Sequence, residues 1–333
     1  MPLTDTQLNA TQPTGVDESR LANLPVPIFA IVMGMAGTAI VYLKAGQILW
    51  HNQVPGIILT AVTTGLFAVL AVAYGLKALH YPHKVREEFD SPVKLHFFPT
   101  LSISLLLLSV AFLHLQSTVS FWLWAIGATA HLYFMLKTLG IWIHKEHFVI
   151  NHIEPSWFIP VVGNLLVPIA GVEHAPADIS WFFFSIGLLF WVMLFTIFLY
   201  RIIFHQPLPT KRIPTFFMLI APPAVAFISY TRMIGGIDSF ARIMYFFALF
   251  LFLLLVSQWR MFRSMQFFIS WWAYSFPIAA LTVATIAMST YDSAALITWL
   301  AWTFLGLLTV VVSILLALTI RAALRHEICT PEG

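Results

Sequence analysis

WWAYSFPIAALTVATIAM, residues 271–288, is the stretch that decides the fold. It is apolar and close to the length of about 20 residues that a helix needs to span a bilayer, yet Pro277 stands near its middle. Proline has no amide hydrogen to donate, so the carbonyl four residues earlier, that of Ala273, loses its helical partner. Inside a membrane such a break is tolerated where protein or a wet cavity surrounds it. We therefore expect this helix in the interior of a bundle.

The composition predicts an integral membrane protein. Of the 333 residues, 60% are hydrophobic and 9% are charged, whereas a soluble domain has about 25% charged residues. The net charge of +3 is too small to suggest a nucleic-acid partner. A single cysteine, Cys329, excludes an internal disulfide, and nothing indicates a cofactor.

Ten windows of bilayer length are free of Asp and Glu and predict ten spanning helices, an all-α membrane fold. The predicted domain organisation is a polar tail at 1–26, a membrane domain at 27–321 and a second tail at 322–333. The ten windows are 27–46, 56–76, 95–114, 119–143, 156–171, 179–204, 213–231, 241–258, 266–290 and 295–320.

An even number of spans puts both termini on one side of the membrane. Thirteen of the 17 lysines and arginines fall on that side and three on the other, with Lys137 inside a span. Because basic residues concentrate in cytoplasmic segments, both termini are predicted to be cytoplasmic. The expected location is the cell inner membrane, crossed many times.

Prolines alternate along these spans. Every odd-numbered span contains or begins with proline, and no even-numbered window contains one. The pattern predicts one helical hairpin repeated five times, with odd helices in an inner ring and even helices in an outer ring facing lipid. Among the odd-span prolines are Pro27, Pro99, Pro160, Pro168, Pro222, Pro223 and Pro277.

The odd helices also supply the candidates for lining a central path. Breaks in a spanning helix, small residues and buried polar groups are the features that mark such a path. Hydroxyl groups on these helices have a second possible role, because they can bond to their own backbone instead. Besides Pro277, the candidates are Gly34, Pro99, Ser102, Gly163, Asn164, Pro168, Pro222 and Thr282.

No acidic residue lies deep in a predicted span, so a central path would not repel anions. Two basic groups lie in the fourth span. His131 is a candidate for proton coupling or, alternatively, a neutral histidine bonded between helices. Lys137 is a candidate binding group or a snorkelling side chain.

A histidine cluster offers a different hypothesis. His144, His147 and His152 lie close in sequence to Glu154, a spacing compatible with a metal site in a membrane enzyme. The group matches no tight ligand motif and the loops are short, so we predict neither a metal nor an enzyme.

Phe276 directly precedes Pro277 and is either a gate across the path or a filler beside the break. Four motifs in order resemble the tellurite-resistance/dicarboxylate transporter family, which contains TehA/SLAC1-like anion channels. The likeness extends from about Pro27 to Arg321. The motifs are VPIFAIVMGMAGTA, FFPTLSISLLLLS, PSWFIPVVGNLLVPIAG and WWAYSFPIAALTVATI.

The resemblance implies five hairpins in quasi-fivefold arrangement around a pore formed by the odd helices, often as a homotrimer. It also implies that Phe276 is the gate that closes the pore. Ala30 stands where the family commonly has a glycine near the gate, and its methyl group would crowd Phe276.

Two functions follow from the resemblance. The first is a Phe-gated channel for small inorganic anions. The alternative is a proton-coupled or passive carrier of C4-dicarboxylates, sulfite or tellurite, in which His131 and Lys137 would act. Neither function needs covalent chemistry.

Overall fold

The computed structural model describes residues 20–144, 148–262, 267–291, 295–325 and 327–329, and their regular secondary structure is entirely helical. Ten helical spans are long and apolar enough to cross a membrane, which confirms the predicted number. In chain order, spans 1 to 10 are Val26–Ile48, Val54–His80, Lys94–Phe112, Ser117–His144, Pro155–His174, Ala177–Phe204, Thr210–Ile234, Ser239–Ser257, Ile269–Tyr291 and Ala295–Leu324.

The spans form an inner and an outer layer, as predicted. Each odd-numbered span packs against the even-numbered span that follows it, which gives five helical hairpins. The odd spans also contact one another in the order 1, 3, 5, 7, 9 and back to 1, so they close a ring. Between 72% and 94% of the most apolar segment of each odd span is buried, against 17% to 39% for the even spans.

Each inner span is built from two kinds of helix. A short 3₁₀ segment comes first, and an α-helix continues from it. At all five junctions the first N–H after the 3₁₀ segment donates to the carbonyl three residues earlier. The 3₁₀ segments are Val26–Ile28, Lys94–Phe97, Pro155–Phe158, Thr210–Ile220 and Ile269–Tyr274, and the α-helices are Phe29–Ile48, Pro99–Phe112, Ile159–His174, Ala221–Ile234 and Ser275–Tyr291.

The prolines mark these junctions instead of breaking a helix in its middle, which differs from our expectation for Pro277. Pro277 is the third residue of its α-helix, and Pro99 is the first residue of another. Amide groups in the first turn of an α-helix have no partner within that helix, so a proline there removes nothing. Pro168, by contrast, lies well inside an α-helix.

A buried ion pair fixes the start of span 1. Glu88 lies in the short helix Pro82–Asp90 that follows span 2, and its carboxylate is 2.9 Å from Lys77 Nζ. The same carboxylate accepts from Tyr74 and from the backbone N–H of Val26, and Lys77 also donates to the carbonyl of Leu24. Both charged side chains are at most 8% exposed. The N-terminal approach to span 1 is therefore attached to span 2.

Replacing Glu88 by alanine should lower the free energy of unfolding by roughly 3–5 kcal/mol, because Lys77 would remain buried without its counter-charge. Glu87→Ala, in the same short helix, is the matched control. Glu87 is 67% exposed and 3.8 Å from Lys84, so its loss should cost less than about 1 kcal/mol. Denaturant unfolding of the purified protein measures both, and equal losses would contradict the assignment.

Candidate functional site

A small cavity lies where the five 3₁₀-to-α junctions meet. Every inner span contributes to its wall, and no outer span does. The lining residues are Ala30 and Met33 of span 1, Phe97 and Thr100 of span 3, Phe158, Ile159 and Val162 of span 5, Met218 and Ala221 of span 7, and Trp272, Ala273, Phe276 and Pro277 of span 9.

The cavity is narrow and almost wholly apolar. The cavity volume is about 30 Å³, which leaves room for only a few water molecules. Two of its side chains carry polar hydrogens, and both are already bonded. The Thr100 hydroxyl donates to the carbonyl of Phe97, and the Trp272 indole donates to Thr319 Oγ1. The cavity is therefore a constriction without a free donor on its lining side chains.

Phe276 is 6% exposed and forms part of this constriction together with Pro277 and Ala30. Gly34, another predicted lining residue, lies behind the wall at the contact of spans 1 and 9. A methyl group on Gly34 would come within 2.0 Å of Ser275 Oγ. Gly34 therefore permits the close helix contact that holds the ring of Phe276 beside span 1.

The predicted polar lining residues bond to their own helices. Ser102 Oγ is 2.8 Å from the carbonyl of Pro99, and the Thr282 hydroxyl donates to Ile278. Pro222 is the second residue of its α-helix. Pro99, Ser102, Pro222 and Thr282 do not border the cavity, and neither do Gly163, Asn164 or Pro168. A hydroxyl such as that of Thr282 would have to rotate away from its carbonyl before it could donate to an anion.

His131 is fully buried between spans 3, 4 and 5. Its Nε2 is 2.8 Å from the carbonyl oxygen of Pro160, which can only accept, so Nε2 carries a proton. Its Nδ1 is 3.0 Å from the Ser102 hydroxyl. Asn164 donates to the same Pro160 carbonyl at 2.9 Å. The histidine thus links one outer helix to two inner helices and lies away from the cavity.

Gly163 is needed because the His131 ring packs directly on it. A methyl group at this position would lie 2.1 Å from the ring carbon Cε1 and 2.5 Å from Nε2. The glycine predicted to line a path therefore has a packing role in this structure.

Gly163→Ala should destabilise the protein by roughly 1–3 kcal/mol, since the rigid imidazole and its hydrogen bonds must shift. Gly140→Ala is the control, because nothing lies within 4 Å of the added methyl and alanine is the better helix former. Thermal unfolding of the detergent-purified variants should show a lower midpoint for the first and no decrease for the second. Equal midpoints would refute the contact.

The remaining basic candidates are dispersed. Lys137 is exposed on the outer surface, with Nζ 5.7 Å from the centre of the Tyr133 ring. His144 bonds to the carbonyl of Gly140, and His152 accepts from the N–H of Val149. His147 lies outside the described residues, and in the described part of the chain no three metal-ligating side chains are grouped.

Glu154 immediately precedes span 5 and is four residues before Phe158, which lines the cavity. Its carboxylate is 2.8 Å from Arg212 and accepts from Ser156, and the buried Arg201 donates to the carbonyl of Asn151, three residues before Glu154. Burial raises the pKa of Glu154, while the charge of Arg212 opposes that shift. The sequence placed this carboxylate in a loop; the structure makes it part of a buried cluster at the end of the inner ring nearest the termini.

Most cavity residues were not among the predicted ones. Phe97, Phe158 and Met218 are large apolar residues, which gave no chemical signal in a chain of 30 phenylalanines and 11 methionines. Their positions do carry a signal. Each lies within four residues of a proline that opens an inner α-helix, and that spacing could have identified them.

Comparison with known proteins places this chain in a family. Residues 23–320 match the family described as voltage-dependent anion channel. The chain belongs to this family. The match covers all inner spans and confirms the resemblance that the four motifs predicted.

Individual members of the family are similar along most of the chain. The S-type anion channel SLAH2 of Arabidopsis thaliana is 29% identical over 91% of this chain and 60% of its own length. The guard cell S-type anion channel SLAC1 of the same plant is 27% identical over 83% of this chain and 52% of its own length. The tellurite resistance protein TehA homolog of Haemophilus influenzae is 23% identical over 79% of this chain and 81% of its own length. This chain spans about half to three fifths of the two plant proteins.

Proposed function

We propose that this member of the voltage-dependent anion channel family passes small anions through the ring of inner helices, and that Phe276 closes the path at rest. The observation that carries the proposal is the cavity walled by all five inner spans. A conduit that follows the centre of the ring has to pass this constriction, and the Phe276 ring belongs to its wall.

The constriction explains how such a path would be closed and what it would prefer. An apolar narrowing excludes water and ions even where a small space remains. Its lining side chains carry no charge. The cost of removing water from the anion would then set the preference, so weakly hydrated anions such as nitrate should pass more easily than chloride.

The carrier alternative receives less support. It assigns proton coupling to His131, but both ring nitrogens are occupied by contacts that join helices. Lys137 lies on the outer surface over Tyr133, away from the inner ring. Passage of C4-dicarboxylates, sulfite or tellurite would use the same constriction without these groups. No covalent catalysis is proposed.

Phe276→Ala should raise anion current at least about tenfold over the parent in oocytes or planar bilayers, because truncation widens and hydrates the constriction. Phe304→Ala is the matched control. Phe304 is equally buried, at 3% exposure against 6%, but packs on Phe252 in the outer layer. Its truncation removes the same atoms and should leave the current at the parental level.

The reversal potential of the Phe276→Ala current separates the possible outcomes. It should follow the gradient of nitrate or chloride. A reversal potential that follows potassium would end the proposal. If the Phe276→Ala protein carries no current but still transports labelled dicarboxylate or sulfite, the carrier function is favoured.

We also propose that the protein lies in the cell inner membrane with both termini in the cytoplasm. The distribution of lysine and arginine supports this orientation. Cys329, the single cysteine, is a natural reporter because it lies in the segment after span 10. A membrane-impermeant maleimide should label it in inverted vesicles and not in intact cells. Labelling in intact cells would show that the C-terminus lies outside the cytoplasm and would contradict the proposed orientation.

A homotrimer is the proposed assembly, supported by the family resemblance. Large apolar side chains cover the outer spans, among them Trp299 and Leu296, and they suit contact with lipid or with a second copy. Light scattering from the purified protein measures the number of chains, and a monomer would refute the proposal.

A further inference from the structure

Three inner spans carry a charged residue eleven positions after a residue that lines the cavity. In an α-helix eleven residues make about three turns, so the two side chains share a face within about 20° and lie about 16 Å apart along the axis. The charged residues should therefore point toward the centre of the ring, at the end opposite the termini. The pairs are Met33 and Lys44 in span 1, Val162 and Glu173 in span 5, and Ala221 and Arg232 in span 7.

The contacts of these residues agree with that placement. Arg232 Nη2 lies 2.5 Å from Glu173 Oε1, across the contact of spans 5 and 7. Lys44 is half-buried near the end of span 1, and spans 1 and 7 are not neighbours in the ring. We call Lys44, Glu173 and Arg232 the rim.

The rim has a net positive charge. Glu173 balances Arg232, and among the described residues no carboxylate forms an ion pair with Lys44. Two other described acids lie at this end, and neither forms an ion pair with a rim residue. Asp178 lies in the first turn of span 6, and Asp238 caps span 8 through the N–H of Ala241. The rim side chains also reach water, since Arg232 is 30% and Glu173 43% exposed and Lys44 is half-buried.

We propose that the rim is an anion-binding entry site, which collects small monovalent anions at the mouth opposite the termini before they reach the constriction. This inference rests on the proposed anion passage. A net positive mouth raises the local concentration of anions and their rate of entry. Because the charges contact water, salt should screen this effect: the screening length falls from about 10 Å at 0.1 M to about 3 Å at 1 M.

The test combines Phe276→Ala with a second substitution in the rim and measures the anion current of each double variant. In about 20 mM chloride, Lys44→Gln should lower the current at least threefold, because it removes the unbalanced positive charge. Glu173→Gln should raise it, since Arg232 then loses its counter-charge. In 1 M chloride all variants should agree within about 30%. Opposite changes from the two variants cannot arise from poorer folding.

Lys137→Gln in the same background is the matched control for the lost charge. Lys137 is an exposed lysine on the outer surface, so its removal should not change the current in either salt. Equal effects of Lys44→Gln and Lys137→Gln, or an effect that persists in 1 M chloride, would overturn the rim while leaving the proposed function standing. Absence of any anion current in the Phe276→Ala parent would overturn both.

Discussion

Backbone amide and carbonyl groups in hydrocarbon have no water to bond with, and that constraint shapes the structure. Each inner span meets it by changing from a 3₁₀ segment to an α-helix at or beside a proline. The first turn of an α-helix tolerates the missing donor, and the 3₁₀ bond to the carbonyl three residues earlier supplies a partner at the junction. Five such junctions meet at one level, where packing against protein protects them from lipid. The constriction is a direct result of that arrangement.

The sequence was sufficient for the fold and insufficient for the shape of the inner helices. Hydropathy and alternating prolines predicted ten spans, five hairpins and two layers, because those patterns report on burial. A proline such as Pro277 shows that one backbone donor is missing. It does not show whether the α-helix precedes or follows the proline. The 3₁₀ segment Ile269–Tyr274 and the α-helix that follows it both lack charged residues, so composition does not distinguish the two geometries.

The candidate site was predictable in part, for a related reason. Phe276, Pro277 and Ala30 were singled out from their motifs, and all three border the cavity. Gly163 and Asn164 were singled out as polar or small, and both surround His131 instead. A small residue in a membrane helix can permit a path or a close contact, and the partner that decides between them, His131, is 32 residues earlier in the chain. Only the packing of spans 4 and 5 distinguishes the two.

The charges of the inner ring lie apart from its narrowest point. Glu154 and Arg212 lie at one end of the ring, the rim lies at the other, and the cavity between them is lined by neutral side chains. A fixed cation in the apolar constriction would be costly to bury and would hold an anion too strongly for rapid release. The same cation in the wet rim costs little and still attracts anions over about one screening length. In the proposed channel, separating attraction from constriction would allow an anion to be drawn to the mouth without being trapped where the path is narrowest.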